Sequence, residues 1–225
     1  MPMRGRACQL SLVVIVGLLA SCATSIRSVG GESAEATAEA FAKSRNTKGI
    51  VLLDVNWGRR WSCGGFENAE LRGLAFDRAP VAKSSNDTPA DLILVQPPNL
   101  ASRQVFDSYA LLVEPGQYAL ASFSIKVARS VSDIAYWVAE RSDLLKNGEA
   151  LGGTFKVAAG ETVYIGNFFL DCFQRPQLWR YYTEGVENFT AHLAQYKQKY
   201  PFLDVDHVTY RLFETTSLGH PYELK

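Results

Sequence analysis

The stretch from Tyr109 to Ala128 narrows the possible folds of this chain more than any other. Tyr109 to Val113 is apolar, Glu114-Pro115-Gly116-Gln117 interrupts it, and Tyr118 to Ala128 runs out again. Proline and glycine at the turn centre suit a type II turn: proline fixes the first φ, and glycine accepts a positive second one. On the outgoing side Ala119, Ala121, Phe123, Ile125 and Val127 alternate with Ser122, Ser124 and Lys126. A period of two sustained over so many residues is a strand with one face in a core. The segment is predicted to be a β-hairpin.

A second predicted hairpin echoes it. Thr154-Phe155-Lys156-Val157 enters, Ala158-Ala159-Gly160-Glu161 turns, and Thr162 to Leu170 leaves. Further strands are predicted at Ile50–Trp57, Leu92–Val95 and Ile134–Val138, with a turn at Asn147-Gly148. In the first of these Val51, Leu53, Val55 and Trp57 share one face, and Asp54 and Asn56 the other. Towards the C-terminus Phe189, Leu193, Tyr196 and Tyr200 recur at helical spacing, with Asn188 as the predicted N-cap and Pro201 as the stop. Val208 to Phe213 reads as a last strand. The fold class expected is mainly β: an antiparallel β-sandwich with a C-terminal helix and final strand appended.

The beginning of the chain has a different grammar. Arg4 and Arg6 precede an apolar run from Leu10 to Ala20, and small residues follow, the parts of a secretory signal peptide over 1–21. The run is too short to span a bilayer, which takes ~20 apolar residues. From Ala23 to Gly31 the residues are small and polar, a tether. Glu32 to Arg45 is alanine-rich, a short helix read as a stalk. The predicted organisation is signal 1–21, lipidated N-terminus and tether 22–46, and a folded domain 47–225.

Leu19-Ala20-Ser21-Cys22 resembles the lipobox of bacterial lipoproteins at every position. The resemblance implies cleavage between Ser21 and Cys22, lipid on the Cys22 sulfur and acylation of the new amine. Two or more acyl chains give stable anchoring where one does not. Ala23 after the cysteine implies sorting to the outer membrane. The membrane is thus the first expected partner. The paired turns Pro115-Gly116-x-Tyr118 and Ala159-Gly160-Glu161-x-x-Tyr164 also resemble those of uncharacterised envelope lipoproteins with an Ig-like or transthyretin-like sandwich.

Cys8 would leave with the signal and Cys22 take lipid, so Cys63 and Cys172 remain. Two thiols in an oxidising envelope compartment invite a disulfide; the alternative is two separate buried thiols acting as small apolar residues. With 23 basic and 23 acidic residues, and Arg4 and Arg6 lost with the signal, the chain keeps a charge of about −2 and offers no basic face for nucleic acid.

Motifs for catalysis are lacking. There is no Gly-x-Ser-x-Gly elbow, Ser-x-x-Lys, P-loop or Gly-x-Gly-x-x-Gly, and no closely spaced His pair for zinc. His192, His207 and His220 are the three histidines, and none sits in a catalytic motif. Asp204-Val205-Asp206 starts like a calcium loop but lacks its glycine and terminal glutamate. No catalytic residue, metal site or cofactor is predicted.

One constellation suggests binding. Trp57, Arg59, Arg60 and Trp61 precede Cys63, and Arg175, Trp179 and Arg180 follow Cys172. A disulfide would bring the two groups together. Guanidinium groups grip phosphate or carboxylate, so an envelope protein or an anionic glycan or lipid is the expected partner. The alternative is that the tryptophans fill the core edge and the arginines snorkel. The function expected is a lipid-anchored, structural or binding protein of the cell envelope. A hydrolase with a site assembled from scattered residues, or an accessory subunit of an envelope complex, are the alternatives.

Overall fold

Gly49–Asn56 is buried along its whole length, so this strand must be covered on both sides. A computed structural model, which describes residues 33, 35–81, 83, 88–98, 106–146 and 149–225, shows how. Ser21, Cys22, the signal, the tether to Gly31 and the Asn147-Gly148 turn lie outside the described residues. The chain runs through helix α1 (Ala38–Ser44) and strands β1 (Gly49–Asn56), β2 (Arg60–Cys63), β3 (Phe66–Arg78), β4 (Leu92–Val95), β5 (Phe106–Val113), β6 (Gly116–Ala128) and β7 (Ile134–Ala139). A one-turn helix α2 (Arg141–Leu144) and a small ladder, β8 (Leu145–Lys146) with β9 (Glu149–Ala150), follow. The remainder is β10 (Thr154–Val157), β11 (Thr162–Asp171), β12 (Gln177–Tyr181), helix α3 (Val186–Lys199) and β13 (Val208–Tyr210).

Two sheets form the body. One has the order β12-β11-β1-β5 with β13 on β11; the other has β10-β6-β3-β2 with β4 on β3 and β7 on β6. Val51, Leu53 and Val55 of β1, with Trp57 just after it, share a core with Leu71, Leu74 and Phe76 of β3 and Leu120 and Ile125 of β6. Ile50 and Leu52, on the other face of β1, share a second core with Phe189, Leu193 and Tyr196 of α3. Helix α3 therefore forms a third layer on the outside of the first sheet. Its amphipathic spacing is the reason.

The mainly-β sandwich with its C-terminal helix is the architecture expected from the sequence, and five details differ. First, β1–β11 and β11–β13 pair in parallel, whereas the sequence reading was wholly antiparallel. Alternation reports that one face is buried; it carries no information about a neighbour's direction. Second, neither predicted hairpin pairs with itself. β5 lies in the first sheet and β6 in the second, and β10 and β11 are likewise divided. Both Gly-containing turns are arches across the sandwich. The same strands meet differently: β10 pairs with β6, placing Phe155 opposite Tyr118 with their rings stacked 5.1 Å apart.

Third, the N-cap of α3 lies three residues before the predicted one. Gly185 is the N-cap, and the Asn188 side chain instead donates to the Glu184 carbonyl. Fourth, residues 35–44 are no free stalk. Ala36 is buried in the second core, its N–H donates to Ala110, Glu35 bridges to Leu111, and Phe41 packs 5.6 Å from Phe202. The final strand is also shorter than predicted, ending at Tyr210, although the Arg211 and Phe213 N–H groups still donate to Tyr164 and Ile165.

Candidate functional site

The disulfide between Cys63 and Cys172 is present, with Cα atoms 4.6 Å apart. It brings β2 against the segment after β11 so closely that a Cβ on Gly64 would lie 2.4 Å from the Arg175 Cα. The predicted aromatic–arginine constellation nevertheless divides. Trp57 is wholly buried in the sandwich core, its Nε1 donating to the Tyr109 hydroxyl at 2.7 Å. Arg59 donates to Glu70 at 2.6 Å and lies over exposed Trp61. Arg60 stacks on Phe169 at 4.4 Å. Arg175 is exposed, and Trp179 packs edge-on to His220 at 5.6 Å. Arg180 is buried. Successive strand residues point to opposite faces, so neighbours in the sequence cannot form one patch. The core-filling alternative holds for Trp57.

Glu70 gathers the charges at this edge. Arg59, Arg72 and Lys126 surround its carboxylate, whose side chain is 1% exposed. Burial pushes its pKa up, but the hydrogen bond from Arg59 and the charges of Lys126, Arg59 and Arg72 outweigh it and hold the carboxyl below its ordinary value. A carboxyl with a lowered folded-state pKa stabilises the fold above its unfolded value of 4.5 and loses that contribution as pH falls through the folded value. Glu70→Gln is therefore expected to cost about 2 kcal/mol at neutral pH. It should also flatten the acid limb of stability, measured as urea midpoints from neutral pH down into the acid range.

A second polar group was invisible in the sequence. Asp54, buried on the α3 side of β1, accepts from the Ser108 hydroxyl and from the Tyr196 hydroxyl at 3.1 Å. His192 Nε2 lies 2.8 Å from the same carboxylate. Burial, and then the charge of Asp54, raise the Tyr196 phenol well above its ordinary pKa. A Ser-His-Asp relay places the imidazole between hydroxyl and carboxylate; here the carboxylate is in the middle. The arrangement clamps α3 to the sheet. His207 pairs with exposed Asp204 at 2.7 Å, and Asp204 caps a single 3-10 turn over Val205–His207. Among the described residues no group of three His, Cys, Asp or Glu side chains could hold a metal ion. No described helix is long and apolar enough to cross a membrane.

Arg180 is the side chain that the surrounding fold leaves incomplete. It lies on β12 with 2% of its surface exposed, and it lines a cavity of about 800 Å³ shared with Thr154, Tyr210, Arg211, Thr215 and Tyr222. Its backbone N–H donates to Leu218, and Nη2 donates to the His220 carbonyl at 2.7 Å. The Tyr182 ring lies 5.4 Å from the guanidinium. The buried Nε and Nη1 have no hydrogen-bond partner. Burial lowers the pKa of the group, opposed only by Tyr210, Tyr182 and Tyr164. Gly166 and Gly219 make room for it: Cβ atoms there would lie 3.0 Å from Arg180 Cδ and 2.5 Å from its carbonyl oxygen. Arg211, by contrast, is paired with Glu161 at 2.9 Å. No protein-family profile, curated protein or solved structure matches the chain.

Proposed function

We propose that this chain is a lipid-anchored protein of a bacterial cell envelope, held by Cys22 at the outer membrane and facing the periplasm, with a binding rather than a catalytic role. Its binding site is the cavity beside Arg180. The observation that carries the binding reading is Arg180 itself: a buried cation with two unpartnered nitrogens on the wall of an open cavity. A group of this kind is costly to keep unless something completes it. The resemblance of Leu19–Cys22 to a lipobox supports the anchor, and the Cys63–Cys172 bond supports an oxidising compartment.

The anchor is tested in a bacterial host supplied with labelled palmitate. The wild-type chain is expected to take up label and to sediment with membranes. Cys22→Ala is expected to take up none and to lose membrane retention. A Cys22→Ala chain that sediments like wild type would overturn the reading.

A second reading, an accessory subunit of an envelope complex, is favoured by β7. This strand exposes Ile134, Tyr136, Trp137 and Val138 on an edge of the second sheet, where an unpaired strand invites another chain. Pull-down from solubilised membranes separates the two readings.

A further inference from the structure

We propose that the cavity beside Arg180 takes an oxyanion, the phosphate or carboxylate group of a small molecule, bound at one edge of the Arg180 guanidinium, where Nε or Nη1 has a donor to spare. This rests on reading the cavity as the binding site and adds the chemistry of what enters it. A guanidinium stays ionised throughout the range in which proteins fold, so it cannot relieve its burial by losing a proton. The fold supplies it with one backbone carbonyl, from His220, and the face of Tyr182. Neither carries a full negative charge. Glu214 and Glu223 line the same cavity, yet neither forms a salt bridge with Arg180, and Nε and Nη1 stay unpartnered.

A planar cation with unused N–H groups matches phosphate and carboxylate in both charge and shape. The hydroxyl-bearing residues Thr215 and Thr216 line the same cavity, and hydroxyls are donors for the remaining lone pairs of such a group; the Tyr210 hydroxyl already donates to the Thr183 carbonyl. The volume, about 800 Å³, is that of a small-molecule site, larger than a bare ion needs. The segment Leu218–His220 runs along Arg180: the Leu218 carbonyl accepts from its backbone N–H, the His220 carbonyl from Nη2, and a Cβ on Gly219 would lie 3.4 Å from Cζ. Nε and Nη1 are buried, so the anionic group enters only as this strap gives way.

The test uses the full-length chain in detergent micelles, with arginine Nε–H resonances observed by NMR. Inorganic phosphate and acetate are titrated to ~50 mM, well above the ~1 mM dissociation constant of a weak site. In a separate arm, phosphatidylglycerol is titrated into phosphatidylcholine micelles. A saturable shift of one arginine resonance is expected, and both that resonance and its shift are absent in Arg180→Met and in Arg180→Lys. A response to the free ions identifies a soluble ligand, and a response to the lipid alone identifies a headgroup; both support the proposal. If Arg180→Met does not fold, Arg180→Lys assigns the shifting resonance and separates it from Arg211, which lines the same cavity. No shift in either arm, or a shift that persists in Arg180→Met, overturns it. An anchored chain indifferent to both would sink the ligand class alone, because the palmitate experiment reports the anchor separately.

Discussion

Replacing Cys63 and Cys172 together by alanine is expected to lower the unfolding free energy by ~4 kcal/mol. The bond joins residues 109 apart in the sequence. Cross-linking across so long a loop removes many conformations from the unfolded chain, worth ~4.7 kcal/mol in the chain-entropy account and 2–4 kcal/mol in typical measurements. Cys63 is also fully buried in the sandwich core, with Cys172 packed against it, so alanine leaves unfilled space and adds to the cost. Guanidinium unfolding of the double variant beside wild type measures the difference. Reductant should destabilise wild type by a similar amount and leave the double variant unmoved. A loss below ~1 kcal/mol would mean that the unfolded chain is already held compact near these two positions.

How much of this was legible beforehand follows from which residues carry a local signal. β1 and α3 were read correctly because Val51, Leu53 and Val55, and Phe189, Leu193 and Tyr196, repeat with the period of their element and face a core. The two arches were read as hairpins because Pro115-Gly116 and Gly160 specify a reversal of direction; whether the strands then join one sheet or two is decided by neighbours far away. The docking of Ala36 was hidden by composition, since an alanine-rich segment looks the same whether it stands free or packs against Ala110. The Cys63–Cys172 pairing could be anticipated from the compartment, but not which side chains it would align. Asp54 and His192 are 138 positions apart, beyond any motif. The sequence singles out Arg180 for its guanidinium, but as a member of a patch that the fold disperses. Its aromatic neighbours in sequence, Trp179 and Tyr181, point to the opposite face of β12, and its distinction lies in the donors left without a partner.

Arg141 offers the contrast, and removing its carboxylate is expected to cost 3–5 kcal/mol, roughly what breaking a buried ion pair costs elsewhere. Asp77 of β3 is wholly buried, and Arg141 at the start of α2 has a side chain 8% exposed. Arg141 Nε donates to Asp77 Oδ2 at 2.6 Å and Nη2 to Oδ1 at 3.3 Å, with Lys83 adding a contact at 3.2 Å. A helix of four residues cannot hold itself, and this pair, with buried Leu144, fixes α2 to the sheet. Asp77→Asn keeps the shape but removes the negative charge paired with the buried guanidinium, so unfolding by urea should show most of the loss. Arg141→Met leaves Asp77 the contact with Lys83 but takes away its bidentate partner, and should also be harmful. The combined Asp77→Leu, Arg141→Met chain should recover much of the stability, because a buried pair exchanged for apolar side chains of similar volume is often neutral. Arg180→Met deprives no carboxylate of a partner, so the ligand-free fold should tolerate it far better than Arg141→Met. Equal damage from the two would mean that Arg180 is completed within the fold after all.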